Sequence, residues 1–326
     1  MIISRTPLRI TLGGGGTDLP SFYEQFGGLV LSAAIDKYIF VGINTTFTDD
    51  YFLKYSEMER VNSAEDIQHA IIREALISHE LGPGLEIVSL ADIPSGTGLG
   101  SSGTFTVGLL KAIYAFKKEH STAGALASEA CSIEIDRLGR PVGKQDQFIA
   151  AYGGLTCFEI GREGDVTASP LNVANDTLHD LEENLLLFFT GYSRNADSVL
   201  EDQKTRSNAG DKSLLDEMQS VKEAAAETRQ ALESGDTHRF GELMDAHWKR
   251  KRDRTKGMSN SNIDRWYEAG IQNGAVGGKL VGAGGGGFLL LYASNPSELR
   301  TAMAAEGLTE VRFDFDYDGS ALVART

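Results

Sequence analysis

Two spacings of apolar residues organise this chain. Phe105, Leu109, Ile113 and Phe116 recur at steps of four, four and three, which predicts a helix with one apolar face beginning near Ser101. Leu214, Met218, Val221, Ala225, Thr228 and Leu232 alternate steps of four and three and predict a long amphipathic helix, followed after Gly235 by a shorter one carrying Leu243 and Trp248. Residues 262–272 read as a further helix. The runs 85–91, 185–189 and 288–292 read as strands, and so does the alternation that begins at Arg5 and breaks into Gly13-Gly14-Gly15-Gly16. Phe313, Phe315 and Tyr317 alternate with acids as a half-buried strand near a sheet edge. This mixture predicts an α+β chain with a first domain over residues 1–175 and a second over 176–326.

At 326 residues with 41% apolar content, the chain is long enough for two domains or one large one, with ample core. Its apolar runs are too short to span a bilayer, and the opening Met1-Ile-Ile-Ser-Arg5 lacks a signal-peptide core, so a cytoplasmic location is expected. Cys131 and Cys157 have no metal-ligand spacing and read as small buried residues. With 46 acidic against 31 basic residues, the net charge of −15 disfavours nucleic acid and anionic membranes as partners. An anionic ligand must then be gripped locally, which directs attention to glycine.

Three glycine centres stand out. Pro94-Ser-Gly96-Thr-Gly98-Leu99-Gly100-Ser101-Ser102-Gly103 runs directly into the predicted helix, whose first N–H groups have no intrahelical acceptor and carry the positive end of the peptide dipoles. A polyphosphate fits there. The segment also meets the loose GxGxxG pattern, but Asp92-Ile-Pro-Ser95 intervenes after the strand and no acid follows at the spacing a dinucleotide fold requires. Neither the P-loop pattern nor a GxSxG elbow occurs. A structural glycine turn remains the competing reading.

The first centre, Gly14-Gly15-Gly16-Thr17-Asp18, is flanked by Arg9. A guanidinium can neutralise phosphate charge, and a carboxylate can accept hydroxyl protons from a polyol, although each residue alone is equally a surface ion-pair partner. The third centre, Gly277 to Phe288, includes Gly284-Gly285-Gly286 and lies between a helix and a strand. Three such loops in one chain suggest backbone surfaces that meet around one ligand. Between them, Asp146 falls in the first turn of a helix near Lys144, where it is either a hydroxyl-orienting carboxylate or a helix-stabilising acid. Glu134 is an exposed helical acid or, with Ser102, a Mg²⁺ partner.

Taken together, Arg9…Thr17-Asp18, Pro94…Ser102, Gly143-Lys-Gln-Asp-Gln147 and Lys279…Phe288 resemble the galactose/homoserine/mevalonate/phosphomevalonate (GHMP) kinases over nearly the whole chain. The resemblance implies a two-domain fold, with an N-terminal domain like domain 2 of ribosomal protein S5 and a ferredoxin-like C-terminal domain, and with ATP and substrate in the cleft between them. It implies that residues 94, 96 and 98–103 bind ATP, that Ser102 and Glu134 hold Mg²⁺, and that Asp146 is catalytic with Arg9 as its basic partner. Galactokinases carry Glu-His before the Thr-Asp, where this chain has Gly15-Gly16. The wider pocket resembles the branch that phosphorylates the anomeric hydroxyl of D-glycero-D-manno-heptose 7-phosphate, and leaves room for L-fucose or a galactose-type sugar. On that resemblance Gly14 to Asp18, Lys144, Gly284, Gly285, Gly286, and Gly191 and Arg194 of Thr190-Gly-Tyr-Ser-Arg194 would contact the sugar, with Arg194 a phosphate clamp.

Several features point elsewhere. Asp314 to Gly319 starts like an EF-hand but ends on Arg325 where a glutamate is required. The basic run Lys249 to Lys256 reads chiefly as a solvated face, with part of it approaching a substrate phosphate. The histidines show no zinc spacing. Two rivals remain from other classes: a nucleotide-binding protein without turnover, opposed by the retained Ser102, Glu134 and Asp146, and a dehydrogenase, opposed by the missing ribose acid.

Overall fold

A computed structural model describes residues 1–191, 205–207, 211–254, 258–282 and 284–325. The first sheet contains β1 (Ile2–Gly13), β2 (Gly28–Thr45), β3 (Tyr51–Lys54), β4 (Met58–Val61), β5 (Leu85–Ala91), β6 (Leu155–Ile160), β7 (Val166–Pro170) and β12 (Ala321–Arg325). Its main path runs β12-β1-β2-β5-β3-β4, and β6 leads off β2 to β7. The 18-residue β2 is its spine: residues 28–33 pair with β6 and residues 39–45 with β5, while β1 runs along the other edge. All pairings are antiparallel except β3 with β5.

Helices α1 (Pro20–Phe26), α2 (Ala70–Ser78), α3 (Ser101–Phe116), α4 (Ala123–Cys131) and α5 (Gln145–Tyr152) accompany this sheet. α3 starts where its apolar spacing predicts, but it is buried on most sides: Thr104, Thr106, Gly108 and Ala112 are covered as well as Leu109 and Ile113. The cause is that β1 and β2 lie on one side of it and α4 and α5 on another. A Cβ on Gly108 would stand 2.8 Å from Thr6 Oγ1, so close packing, not a single stripe, selects its small residues.

The second sheet holds β8 (Leu185–Phe189), β9 (Ala275–Leu280), β10 (Phe288–Ala293) and β11 (Thr309–Glu310) in the order β11-β8-β10-β9. Helices α6 (Asn175–Asn184), α7 (Lys212–Ser234), α8 (Thr237–Arg254), α9 (Ser261–Gln272) and α10 (Pro296–Ala305) complete this half. With α7 to α9 between β8 and β9, and α10 between β10 and β11, the half is a βαββαβ ferredoxin-like unit. Leu186, Phe188, Trp248, Tyr267, Leu289 and Leu291 form its own core. Leu185, Leu187 and Leu290 instead join the first core, as strands with two buried faces must. α7 spans the join; a Cβ on Gly13 would meet the Ala225 Cα at 3.4 Å.

The region around Phe315 departs from expectation. Phe313 and Phe315 are buried, but Tyr317 is 57% exposed and no strand forms there beyond a single bridge between Phe315 and Ile35. Asp316 Oδ1 accepts the N–H groups of Asp318 and Gly319, at 3.1 and 2.9 Å, and this turn stops the alternation. The chain then returns to the first sheet, where β12 pairs antiparallel with β1. Residues 321–325 therefore belong structurally with the first half of the chain, not with the second. Among the described residues, no helix is long and apolar enough to cross a membrane.

Candidate active site

β1 carries Arg9 to the centre of the molecule. Its backbone N–H donates to Leu99 O at 3.1 Å, tying the strand to the glycine loop before α3. Its guanidinium places Nε and Nη2 each 2.7 Å from Asp146 Oδ1, and Nη1 donates to the Gly98 carbonyl. Arg9 is buried, whereas the Asp146 side chain keeps 30% exposure.

Asp146 is held by the first turn of α5, and that turn is braced from the first glycine centre. Asp18 Oδ2 accepts the Gln145 N–H at 2.9 Å, while its Oδ1 accepts the Gly16 N–H at 3.0 Å. Gln145 Nε2 donates to Thr11 Oγ1 at 2.6 Å and to Ser32 Oγ at 2.7 Å. A Cβ on Gly143 would fall 1.9 Å from Asp18 Oδ2, so only glycine permits this brace. Burial raises the Asp18 pKa, against the lowering effect of its backbone donors. Asp18 thus positions α5 as well as facing the cavity. Gly100, left-handed at φ 82°, is the residue before α3, and a Cβ there would meet Arg9 and Asp146 at 3.1–3.2 Å. At Gly103 it would stand 2.8 Å from Asp146 Cβ. The loop and the start of α3 therefore lie directly against the carboxylate.

Glu134 lies in a short π-helical turn, Ser132–Arg137, that continues α4. It is completely buried, not an exposed helical acid. The wider turn faces it inward: Oε1 accepts Thr106 Oγ1 at 3.1 Å and Gln147 Nε2 at 3.0 Å, and Oε2 accepts the Ser102 hydroxyl. Arg140 Nη1 donates to Ser102 Oγ at 2.7 Å and reaches Glu134 Oε2 at 3.3 Å. Burial pushes the Glu134 pKa up; the donors from Ser102, Gln147, Arg140 and Thr106 act against it. A hydroxyl and a carboxylate in contact at a helix start form a hard oxygen pair suited to Mg²⁺, which usually takes one or two carboxylates and completes its shell with phosphate and water oxygens. Among the described residues no group of three or more His, Cys, Asp or Glu could hold a metal alone, so this pair would depend on phosphate oxygens.

Arg9, Asp18, Ser102, Arg140, Gln145 and Asp146 line one cavity of about 880 Å³ between the two halves of the chain, and Glu134 lies buried behind Ser102. One arm is lined by Ile39, Tyr55, His69, Leu90, Ile93 and Phe105, and has the apolar and aromatic character that suits a nucleobase. The other is lined by Thr11, Asp18, Met218, His247, Lys251 and Lys279. Pro94, Gly96, Gly98, Gly100, Ser101 and Ser102 line the same cavity. Ser101 Oγ is buried without a hydrogen-bond partner among the described residues, an acceptor-seeking donor in the middle of the loop.

Not every glycine faces the cavity. Gly15, Gly16, Gly284 and Gly286 line it. Gly14 instead packs on the Leu29 carbonyl, where a Cβ would come within 1.9 Å, and Thr17 is buried with its hydroxyl on Gly14 O and Leu29 O. Gly285 donates its N–H to Met258 O at 2.8 Å. Leu99 is fully buried. Gly282 and Gly287 let the third centre press on the middle loop: Cβ atoms there would stand 2.6 Å from Gly98 Cα and 2.1 Å from Thr97 O. Part of the glycine usage is thus loop against loop, in addition to the backbone that faces the cavity.

Lys144 does not turn to Asp146. Its ammonium donates to the Gly164 carbonyl and lies 5.1 Å from the Tyr23 ring centroid. Gly191 is exposed at φ 74°, with nothing within 4 Å of a Cβ there among the described residues, and Arg194 lies outside the described residues. The sequence reading did not single out Gln145, Arg140 or His247, and it had Lys251 only as an unspecified member of a basic run, part of which approaches a substrate phosphate. Only His247 and Lys251 carried a signal, their four-residue spacing on α8.

Residues 66–154 match the family described as GHMP kinases N terminal domain, and residues 228–307 match GHMP kinases C terminal. The chain is 31% identical over 303 residues to the D-glycero-alpha-D-manno-heptose 7-phosphate kinase of Campylobacter jejuni, covering 89% of each chain. It is 26% identical to the bifunctional fucokinase/GDP-fucose pyrophosphorylase of Arabidopsis thaliana over 90% of this chain, but spans only 30% of that larger protein. In fold it resembles a D-glycero-D-manno-heptose 1-phosphate kinase from Bacteroides thetaiotaomicron, with a TM-score of 0.80, 24% identity and full coverage of both chains. It also resembles the Lactococcus lactis galactokinase complexed with galactose, with a TM-score of 0.76, 18% identity, and coverage of 99% of this chain and 94% of that one.

Proposed function

Since this chain belongs to the GHMP kinases, we propose that it transfers the γ-phosphoryl group of ATP to the anomeric hydroxyl of D-glycero-D-manno-heptose 7-phosphate, giving the 1,7-bisphosphate. The observation that carries the transfer is the seat of Asp146. Its carboxylate lies against the start of α3 and the glycine loop, is fixed by Arg9, and stays partly open to the cavity. The choice of a heptose phosphate rests on the Campylobacter relative and on Gly15-Gly16, which leave the sugar arm wide.

Phosphoryl transfer needs alignment and charge neutralisation more than covalent chemistry. The first N–H groups of α3, with the Ser101 hydroxyl, face the place where β- and γ-phosphates would lie. Ser102 and Glu134 would hold Mg²⁺, which supplies neutralisation of phosphate charge when bound. Arg140 already touches both of these residues and must be repositioned or shared when the nucleotide enters. Asp146 orients the acceptor hydroxyl and takes its proton, and Arg9 keeps the carboxylate aimed. Residues 1–175 with β12 form the nucleotide and catalytic unit in this reading, and the remainder closes the cleft.

The test is an ATP-consumption screen over heptose 7-phosphate, L-fucose, galactose and mannose, with the product's phosphate position read by phosphorus NMR. Turnover of the heptose phosphate with a new anomeric phosphate is expected. Consumption only with fucose or galactose would replace the substrate, and none with any sugar would overturn the reading.

A further inference from the structure

The sugar arm of the cavity ends in a corner of positive charge. Lys279 on β9 is only 7% exposed, and its ammonium donates to Leu12 O at 3.0 Å, where β1 runs into the first glycine centre. His247 and Lys251 stand four residues apart on α8, so they share a face, and both line the cavity with Lys279. His247 and Lys279 also close a small void beside Leu12, Gly13 and Gly14. The nearby charges are mostly alike: Lys251 and Arg9 face Lys279, and Lys279, Lys251 and Arg250 face His247. Glu217 on α7 faces Lys251. Arg206 reaches the same arm with its guanidinium on Asp211, at 2.9–3.0 Å.

Burying like charges together is unfavourable unless an anion joins them. Burial, with Lys251 and Arg9 beside it, pushes Lys279 down to about 7, and burial, with Lys279, Lys251 and Arg250 beside it, holds His247 well below its ordinary range. Lys251 is set apart from its neighbours in the basic run, since Lys249 pairs with Asp245 at 2.9 Å and Arg250 donates to Ala246 O, both exposed. Nucleotide phosphates already have donors at the start of α3. The corner lies beyond Arg9, toward Leu12, and is left for a second anion.

We propose that Lys251, His247 and Lys279 bind the terminal phosphomonoester of the sugar while its reacting hydroxyl lies at Asp146, which makes the enzyme selective for acceptors with a phosphate at the far end. This inference rests on the kinase reading. It also assigns the phosphate contact to α8 and β9 in place of the residue 190–194 segment.

Wild type and the variants Lys251→Met, Lys279→Met and Lys249→Met would be compared on heptose 7-phosphate and unphosphorylated heptose, with folding checked by circular dichroism. Loss of a charged hydrogen bond to phosphate should lower the kcat/KM ratio of phosphorylated to unphosphorylated sugar about 10- to 100-fold in Lys251→Met and Lys279→Met. In the outward-facing Lys249→Met that ratio should not change. In parallel, inorganic phosphate is titrated calorimetrically into each protein saturated with a non-hydrolysable ATP analogue. Phosphate binding that Lys251→Met and Lys279→Met abolish supports the corner even if no sugar is turned over, a result that would overturn only the kinase assignment. Turnover of the heptose phosphate with selectivity unchanged in both variants overturns the corner while the kinase assignment stands.

Discussion

Arg9 and Asp146, 137 positions apart in the chain, meet through two contacts of 2.7 Å to the same carboxylate oxygen, Oδ1. One guanidinium edge is thus spent on one oxygen, which leaves Oδ2 outside the Arg9 contacts and, in the proposed reaction, for the acceptor hydroxyl. Replacing Asp146 by Asn keeps the shape but removes the proton acceptor. Turnover should fall about 10²- to 10⁴-fold, while a calorimetric titration with a non-hydrolysable ATP analogue should still show binding. Turnover within a few-fold of wild type would remove Asp146 from the mechanism.

Gly103→Ala tests how closely α3 and α5 must approach. The new Cβ would lie 2.8 Å from Asp146 Cβ and 3.0 Å from the Gln147 N, against backbone that cannot swing aside. Overpacking of this kind costs about 1–3 kcal/mol. A lowered Tm is expected, with kcat reduced more than the KM for ATP is raised, because the displaced group is Asp146. Unaltered kcat would show that the contact is slack.

Glu134→Gln retains the size and the hydrogen-bonding shape of the buried side chain but removes the charge that Ser102 and Arg140 surround. Binding of Mn²⁺ in the presence of nucleotide, followed by electron paramagnetic resonance, should weaken by about 1–3 kcal/mol, the range for one charged contact. Equal Mn²⁺ affinity in the variant would place the metal elsewhere.

Lys279 provides a pH-dependent signature. Its pKa in the folded chain is lowered to about 7 from 10.5, so between those values the unfolded chain binds more protons and this residue makes stability rise with pH. Below about 7 the folded chain carries the full cost of a buried ammonium. Lys279→Met removes that cost, so its Tm relative to wild type should be more favourable at pH 6 than at pH 9. An identical difference at both pH values in thermal denaturation would mean that the ammonium is not held as the structure shows.

Local spacing made the individual elements readable. The start of α3 at Ser101, the strand Leu85–Ala91, the long α7 and the first-turn place of Asp146 on α5 all follow from short-range periodicity and helix-end chemistry, which act over a few residues. The glycine centres were visible for the same reason, whereas local setting left Glu134 and Asp146 each with two readings, and only the family resemblance gave Ser102, Glu134 and Asp146 their roles. Distances between remote segments leave no such mark. That Asp18 braces α5, that Gly282 and Gly287 press on the middle loop, and that Lys144 turns to Gly164 depend on contacts across more than a hundred residues or on the direction of one side chain. The return of β12 to β1 likewise needed the tertiary fold, because a strand's own alternation says that it will pair but not with which edge. The sequence by itself determined which segments become helix or strand and which residues have the chemistry. Only the folded chain decided which of them meet, because packing and burial select partners by shape and charge in three dimensions, and it is that selection which turns Lys251 and Lys279 from two basic residues into one corner.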